Sequence, residues 1–409
     1  VPTVRLIIGD IRDVMASMIA DGDTYDQLIT SPPFLALRSY LPADHPDKHR
    51  EIGSEPTPAS FLDTLYGLTA DWGRLLPEWA SICVELGDTM SGSGGAGGDY
   101  NPDGLREGQA RYDGSARKNR PAKGIPGVVS PGGTTGSGNG QARNLPGWPL
   151  AKSMCILPHA YTLGLAYGLN PLTGLEHPAG QWRIRNVITW ARPNPPVGSL
   201  GKRNPTKRTG DYKFRPACSY ITVACRGTGR YFDLDAVRTD LKVPEAATIA
   251  GARPAGPLNS GNAGYHTDPT KLAMSNPAGA PPLDWHTDHL DGDWLWKLAT
   301  APYPGAHYAT YPLTLPRRLI LAMCPSEVCI VCGWPRERVT HSERRVIYPQ
   351  RKSAATLEGG EFGEEGATAV TTLGWTDCGH DSYRPGHILD CFGGSGTTAV
   401  AAAMEGRDC

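Results

Sequence analysis

Apolar residues in the first ninety positions fall into short blocks separated by turn formers, and the period changes from block to block. Residues 4–10 carry Leu6-Ile7-Ile8 and end at Gly9-Asp10, which predicts a strand. Residues 14–19 predict a short helix. Residues 25–30 predict a second strand that runs into Ser31-Pro32-Pro33-Phe34, where consecutive prolines cannot continue a ladder. Phe61, Leu62, Leu65, Leu68, Trp72, Leu75 and Leu76 recur at helical spacing, and residues 81–86 predict a third strand stopped by Gly87-Asp88. Beyond residue 91 the pattern disappears into Gly, Ser, Pro, Asn and Arg until about residue 147. A helix is predicted over 150–169, strands over 185–190 and 220–225, irregular chain over about 240–291, a helix over 313–323 and a last strand over 386–390. Strands alternating with helices predict an α/β domain with a mostly parallel sheet and loop-rich insertions.

Composition agrees with a folded core carrying long loops: 409 residues, 39% of them apolar, with 50 Gly and 37 Pro. The sequence contains no run of 18 apolar residues and opens without the basic start and apolar stretch of a leader, so a cytoplasmic protein is expected. The formal net charge is −1, yet residues 183–215 hold nine Lys/Arg against the single acid Asp211, and residues 105–123 hold six against two. Such stripes suit a polyanion groove or are solvated loop charge.

Of ten cysteines, Cys83, Cys155 and Cys225 stand alone in apolar contexts and read as small core residues. Cys324, Cys329, Cys332 and Cys378 are grouped, which points to metal. Cys329-Ile330-Val331-Cys332-Gly333 is a C-x-x-C knuckle and Cys378-Gly379-His380 supplies two more donors, so structural zinc on Cys329, Cys332, Cys378 and His380 is expected. Cys324, next to Pro325 at a helix end, reads as core.

Two further runs carry chemistry. In Asp390-Cys391-Phe392-Gly393-Gly394-Ser395-Gly396-Thr397-Thr398 a strand ends in an acid, a glycine loop follows, and a helix begins. Glycines allow close approach of a ligand, and a helix N-terminus offers free N–H groups. The spacing is neither the dinucleotide fingerprint nor a P-loop. In Ser31-Pro32-Pro33-Phe34, the Ser hydroxyl and the Pro32 carbonyl are two acceptors suited to the hydrogens of an exocyclic amino group, and Phe34 offers a stacking face.

In this order the two runs resemble the β group of S-adenosylmethionine-dependent DNA amino-methyltransferases, in which the catalytic Asp/Ser/Asn-Pro-Pro-aromatic motif precedes the cofactor glycine motif. Gly9-Asp10 resembles the strand end near the cofactor adenine. Val187 to Pro195 resembles the strand that walls the base pocket, and Tyr303 to Pro312, with His307, Thr310 and Pro312, resembles the segment that holds the cofactor's methionine part. The resemblance implies a Rossmann-like class I methyltransferase fold with a circularly permuted motif order and a zinc-knuckle insertion. Its catalytic core would comprise 1–90, 148–235, 294–323 and 385–409. The Gly-rich basic insertion 91–147, a target-recognition region 236–293 and the zinc-knuckle insertion 324–384 would interrupt it.

The implied activity is methyl transfer to the amino group of a base flipped out of double-stranded DNA, with Ser31, Pro32, Pro33 and Phe34 as catalytic residues. Asp10, His307, Thr310, Pro312, Asp390, Phe392, Gly393, Gly394, Ser395, Gly396, Thr397 and Thr398 would bind the cofactor. Ser at the first motif position favours cytosine N4 over adenine N6. Cys391 stands where the family usually has Pro. The family also expects a further strand after the last helix, tipped by a ribose-binding acid that residues 407–409 do not supply, which leaves truncation, weak cofactor binding or a substitute residue. The rival readings are an inactive methylase-like zinc protein that binds nucleic acid and a methyltransferase for RNA or a small molecule.

Overall fold

A computed structural model describes residues 2–37, 40–41, 45–91, 145–151, 153–192, 217–237, 295–299, 311–349 and 364–409, without side chains for 342–349 and 364–370. The Gly-rich insertion and the target-recognition region therefore lie almost wholly outside the described residues, as do His307 and Thr310.

The main sheet contains six strands: β1 (Gln27–Thr30), β2 (Ser81–Leu86), β3 (Arg183–Ala191), β4 (Cys218–Cys225), β5 (Leu295–Lys297) and β10 (Ile388–Leu389). Their order is β10–β1–β2–β4–β3–β5. β10, β1 and β2 pair in parallel, β4 is antiparallel to both β2 and β3, and β3 pairs in parallel with β5. Five strands thus share one direction and β4 opposes them. The last strand of the chain lies beside the first, with Gln27 opposite Ile388 and Leu28 opposite Leu389.

Helices cover both faces. On one lie α1 (Ile11–Asp21), α2 (Pro58–Leu75) and α3 (Leu157–Tyr167), whose apolar residues join Leu28, Ile82, Val84 and Ala224 in one core. On the other lie α4 (Thr314–Met323) and α5 (Thr397–Met404), packed with Ile29, Cys83, Ile188, Ile221, Val223 and Ile388. Because side chains alternate along a strand, Leu28 and Ile29 serve opposite cores. That explains why all of β1 is buried and why Leu28 and Ile29 stand side by side at its centre rather than alternating with polar residues.

The helix starts follow local chemistry. Asp10 caps α1 by accepting from Arg12 N, and Gly22 ends it in the left-handed region at φ 74°. Thr57 and Ser60 form a capping box on α2, with Pro58 in its first turn. α3 has no cap of its own. Asp88, just beyond β2, accepts from the N–H groups of Ile156 (2.9 Å) and Leu157 (3.0 Å).

Three expectations change. Residues 4–10 form no strand: Arg5 N donates to Cys409 O (2.8 Å) and Cys409 N to Thr3 O (3.0 Å), but the ladder goes no further, and Leu6 and Ile8 are exposed. The helix expected over 150–169 begins only at Leu157, because Ile156 is in the left-handed conformation at φ 59° and Pro158 fits a first turn. Residues 324–384 hold more regular structure than a knuckle needs. β6 (Glu327–Cys329) pairs with β9 (Tyr383–Pro385), and between them β7 (Arg338–Pro349) and β8 (Glu364–Trp375) form a two-stranded ribbon.

The insertion is tied to the core by buried acids. Asp26, ahead of β1, is paired with Arg384 of β9 (Nη2 to Oδ1, 3.2 Å) and accepts from His387 N (2.7 Å). Asp233, beyond β4, takes a bidentate pair from Arg338 at the root of the ribbon (Nε to Oδ1, 3.0 Å; Nη2 to Oδ2, 2.7 Å).

α2 and α3 meet at Tyr66, which stacks between Tyr161 (5.6 Å) and His177 (3.9 Å) and donates to Ala160 O (3.0 Å). A β-carbon at Gly164 would lie 1.9 Å from the Tyr66 hydroxyl oxygen. Gly164→Ala should therefore destabilise the fold by about 2 kcal/mol despite the better helix propensity. Chemical denaturation checks this, and equal or greater stability would refute the packing.

Candidate active site

The parallel strands end at one edge of the sheet, and every strand end there carries a polar residue. β10 ends in Asp390, β1 in Thr30-Ser31, β2 in Glu85 to Asp88 and β3 in Trp190 to Arg192, while the reversed β4 begins at Cys218-Ser219. In open α/β sheets this edge is where ligands bind.

Asp390 is the junction of the site. Its Oδ1 accepts from Thr30 Oγ1 (2.8 Å) and from Phe392 N (3.1 Å). Its Oδ2 accepts from Thr398 Oγ1 (2.6 Å) and Tyr311 Oη (3.3 Å), and Tyr311 and Thr398 are themselves hydrogen-bonded. Phe392 N also reaches Thr30 Oγ1 (3.2 Å). One carboxylate thus joins the residue before Ser31, the glycine loop, the start of α5 and the segment leading into α4. Burial pushes the Asp390 carboxyl above the ordinary range, and the hydrogen bonds from Thr398, Thr30, Phe392 and Tyr311 offset part of that. The Tyr311 phenol is raised well above its ordinary range, first by burial and then by the charge of Asp390.

The Ser31–Phe34 turn follows directly. Ser31 Oγ donates to Glu85 Oε2 (2.6 Å). Glu85 is buried, and its Oε1 makes no hydrogen bond. Burial pushes its carboxyl up, against the lowering influence of Ser219, Ser31 and Arg192. Because the Ser31 proton points to Glu85, the lone pairs of the Ser31 oxygen are left for a donor arriving from the open side. Phe34 is half-buried against the α1–α3 core. Its turn is held by Ala36 N donating to Gly53 O (2.8 Å), and Ala36 itself adopts φ 53°.

Among the described residues, a β-carbon at Gly393 or Gly396 would meet nothing within 4 Å, and Gly396 begins α5 at φ 79° without a side-chain cap. Gly394 is also left-handed, at φ 52°, and Ser395 Oγ contacts Thr397 Oγ1 (3.0 Å). A bare loop in front of uncapped helical N–H groups fits a nucleoside cofactor. Pro312 caps the approach to α4 through its carbonyl, which accepts from Leu315 N (3.0 Å). Asp10 is engaged otherwise: beyond capping α1, its Oδ2 pairs with Arg50 Nε at 3.2 Å.

The metal candidates come together. The donor atoms of Cys329, Cys332, Cys378 and His380 all lie within 4.8 Å of one another, and Cys329 Sγ is 3.4 Å from His380 Nδ1. Gly333 at φ 71° and Gly379 at φ 78° make the turns. Burial raises the Cys329 thiol, but N–H groups of Cys332 and Val331 and the neighbouring thiols outweigh it and bring it down to about 7, which favours a thiolate ligand. Cys324 is fully buried in the core formed by α4 and α5.

Reading the motifs alone omits Thr30, Glu85 and Tyr311. Glu85 carries the one signal that was available: an acid at an inward position of a strand that is otherwise apolar.

With a serine-proline-proline-aromatic turn and an Asp-to-Thr-Thr glycine loop on adjacent strand ends, in this chain order, the protein is similar to the S-adenosylmethionine-dependent DNA amino-methyltransferases of the cytosine-N4/adenine-N6 type. No protein-family model matches the chain. It is 21% identical over 318 residues to the Type II methyltransferase M.SmaI of Serratia marcescens, covering 78% of this chain and 74% of that protein. Among solved structures it is similar to the PvuII DNA methyltransferase (cytosine-N4-specific), with 12% identity and a TM-score of 0.42 over 99% of this chain and 80% of that one. It is also similar to the M1.HpyAVI–SAM complex, with 8% identity and a TM-score of 0.34 over 99% and 90%.

The buried Glu85 gives a pH signature. A carboxyl raised by folding holds its proton longer in the folded chain than in the unfolded one. Its contribution to stability is therefore complete below the ordinary carboxylate range and is lost as pH rises through the folded value. Asp390 acts in the same direction. Glu85→Gln should make the fall in unfolding free energy as pH rises above the ordinary carboxylate range shallower than in the wild type. Parallel pH profiles from urea titrations would contradict this.

Proposed function

We propose that the protein methylates the N4 amino group of cytosine at a specific site in double-stranded DNA, as the modification enzyme of a restriction-modification system. The observation that carries this reading is the Ser31–Glu85 hydrogen bond at the rim of the glycine loop's strand neighbour, which leaves the Ser31 oxygen as an acceptor. Ser at this position favours cytosine over adenine. The basic stripes supply phosphate contacts, and the choice of target sequence is assigned to 236–293.

S-adenosylmethionine, when bound, supplies an electrophilic methyl group on a sulfonium. Gly393, Gly394 and Gly396 would leave room for it, with Asp390, Phe392, Ser395, Thr397 and Thr398 around the loop, and the resemblance assigns His307, Thr310 and Pro312 to its methionine part. The target base leaves the duplex at a cost of a few kcal/mol. Phe34 stacks on it, and Ser31 Oγ and the Pro32 carbonyl accept its two amino hydrogens. Methylation of the amino nitrogen would build positive charge there. Ser31, backed by the Glu85 carboxylate, stabilises that charge and lies on the route by which the surplus amino proton leaves. The rest is alignment.

For Cys329, Cys332, Cys378 and His380 we propose one structural zinc ion. Three thiols and an imidazole on two tight turns suit tetrahedral coordination. The metal would fix the root of the β7–β8 ribbon and take no part in the chemistry.

Ser31→Ala and Phe34→Ala should each lower methyl transfer by about 100-fold while leaving cofactor affinity near normal. Mass spectrometry of nucleosides from DNA incubated with enzyme and cofactor should show N4-methylcytosine. N6-methyladenine instead would move the reading to the adenine enzymes, and no modified base at all would overturn it. Elemental analysis of purified protein should find one zinc per chain, lost in Cys332→Ser and Cys378→Ser. Metal-free folded protein would refute the zinc site.

A further inference from the structure

Phe34 is seated between two positions that have no β-carbon. At Gly53 an added Cβ would come within 3.0 Å of Phe34 O and 3.2 Å of Pro33 Cβ, but φ there is +88°, so the backbone alone already demands glycine. Gly87 differs. Its φ lies outside the left-handed region, so an L-residue fits the backbone without strain. Yet a Cβ there would lie 2.4 Å from Phe34 Cε2, 2.8 Å from Cδ2 and 3.1 Å from Cζ, and these ring atoms are the three nearest heavy atoms. The ring rests on bare main chain at the end of β2.

That strand end cannot retreat. Leu86 is buried and paired with Tyr220 across the sheet, and Asp88 is fastened to α3 through Ile156 N and Leu157 N. Two residues before Gly87, Glu85 holds Ser31. The segment Glu85 to Asp88 is therefore a fixed template that orients the hydroxyl at one end of the Ser31–Phe34 turn and the ring at the other.

We propose that Gly87 is a positioning residue for methyl transfer. By letting the Phe34 ring lie against the backbone, it sets the height at which the target base stacks and so the distance from the amino group to Ser31. This rests on the methyltransferase reading above. A methyl group at position 87 would have to push the ring outward by ~1 Å to restore ordinary contact near 3.5–4.0 Å. Misplacement of that size costs up to ~100-fold in rate.

The test is a double-substitution cycle on the full chain, using single-turnover methylation of the DNA site found for the wild type. Gly87→Ala should lower the rate by ~10- to 100-fold, with cofactor affinity and melting temperature close to the wild type. In a Phe34→Ala background the same change should cost less than about twofold, because the ring it displaces is gone. Gly67→Ala within α2, where a Cβ meets nothing within 4 Å, is the control that should leave activity intact. With 2-aminopurine at the target position, Gly87→Ala should also change the fluorescence of the flipped base at saturating enzyme. Full activity and unchanged fluorescence in Gly87→Ala would overturn the proposal, as would an equal loss with and without the Phe34 ring. A wild type that methylates no DNA would instead overturn the reading of function on which the seat rests.

Discussion

The site depends on one part-buried carboxylate. Asp390 accepts hydrogen bonds from Thr30, Tyr311, and Phe392 and Thr398 of its own loop, which belong to three separate stretches of chain. Burying an acid in this way is unfavourable unless its oxygens are supplied with donors, so each donor must be in place for the others to be tolerated. This makes the junction all-or-none. The strand that ends in Ser31 and the strand that begins the glycine loop are separated by more than 350 positions in sequence, yet their tips are locked side by side. The permuted order of motifs is harmless for that reason: catalysis needs the tips adjacent in the sheet, and the parallel pairing of β1 with β10 provides this whichever comes first.

The same logic explains how the core carries large insertions. The ribbon of β7 and β8 has twelve residues per strand, and a two-stranded hairpin is marginal alone. It is fastened at its root by Arg338 on Asp233, and the adjoining β6–β9 pair by Arg384 on Asp26. Both acids are nearly inaccessible to solvent, and removing one partner of such a pair leaves an uncompensated buried charge, at about 3–5 kcal/mol. Asp26 also receives His387 N at the entrance to β10. The knuckle therefore grips the cofactor strand directly, and a metal bound there would stiffen the approach to Asp390 without touching substrate.

Motifs that present backbone to a ligand were legible in the sequence, because a run of glycine or proline at a strand end stops the ladder and leaves main chain uncovered. The central elements were legible as well: residues 81–86 read as a strand and form β2, and the Phe61–Leu76 periodicity lies within and just beyond α2. What escaped reading depends on partners far away in the chain. Glu85 looks like a polar interruption until β1 places Ser31 beside it. Tyr311 looks like one more aromatic until Asp390 and Thr398 meet its hydroxyl. The ribbon escaped because its two strands pair with each other, across a gap in sequence, and join neither of the other sheets among the described residues. Residues 4–8 are the reverse case. Their apolar pattern is that of a strand, and in the structure Thr3 and Arg5 pair with Cys409 without a strand being formed.

These parts differ in rigidity for a physical reason. Where the chain must hold an atom still, the structure uses side-chain hydrogen bonds: Thr30 donates to Asp390, Ser31 to Glu85, and the N–H groups at the start of α3 to Asp88. Elsewhere it leaves main chain bare, at Gly393 and Gly396 after β10 and at Gly87 beneath the Phe34 ring. A ring lying on bare main chain has no rotamer of a neighbour to wait for, so its position is fixed by the sheet itself. On the proposed function, the alignment needed for methyl transfer would be built into strand ends that are held by hydrogen bonds within the chain, so that binding energy need not be spent on assembling them.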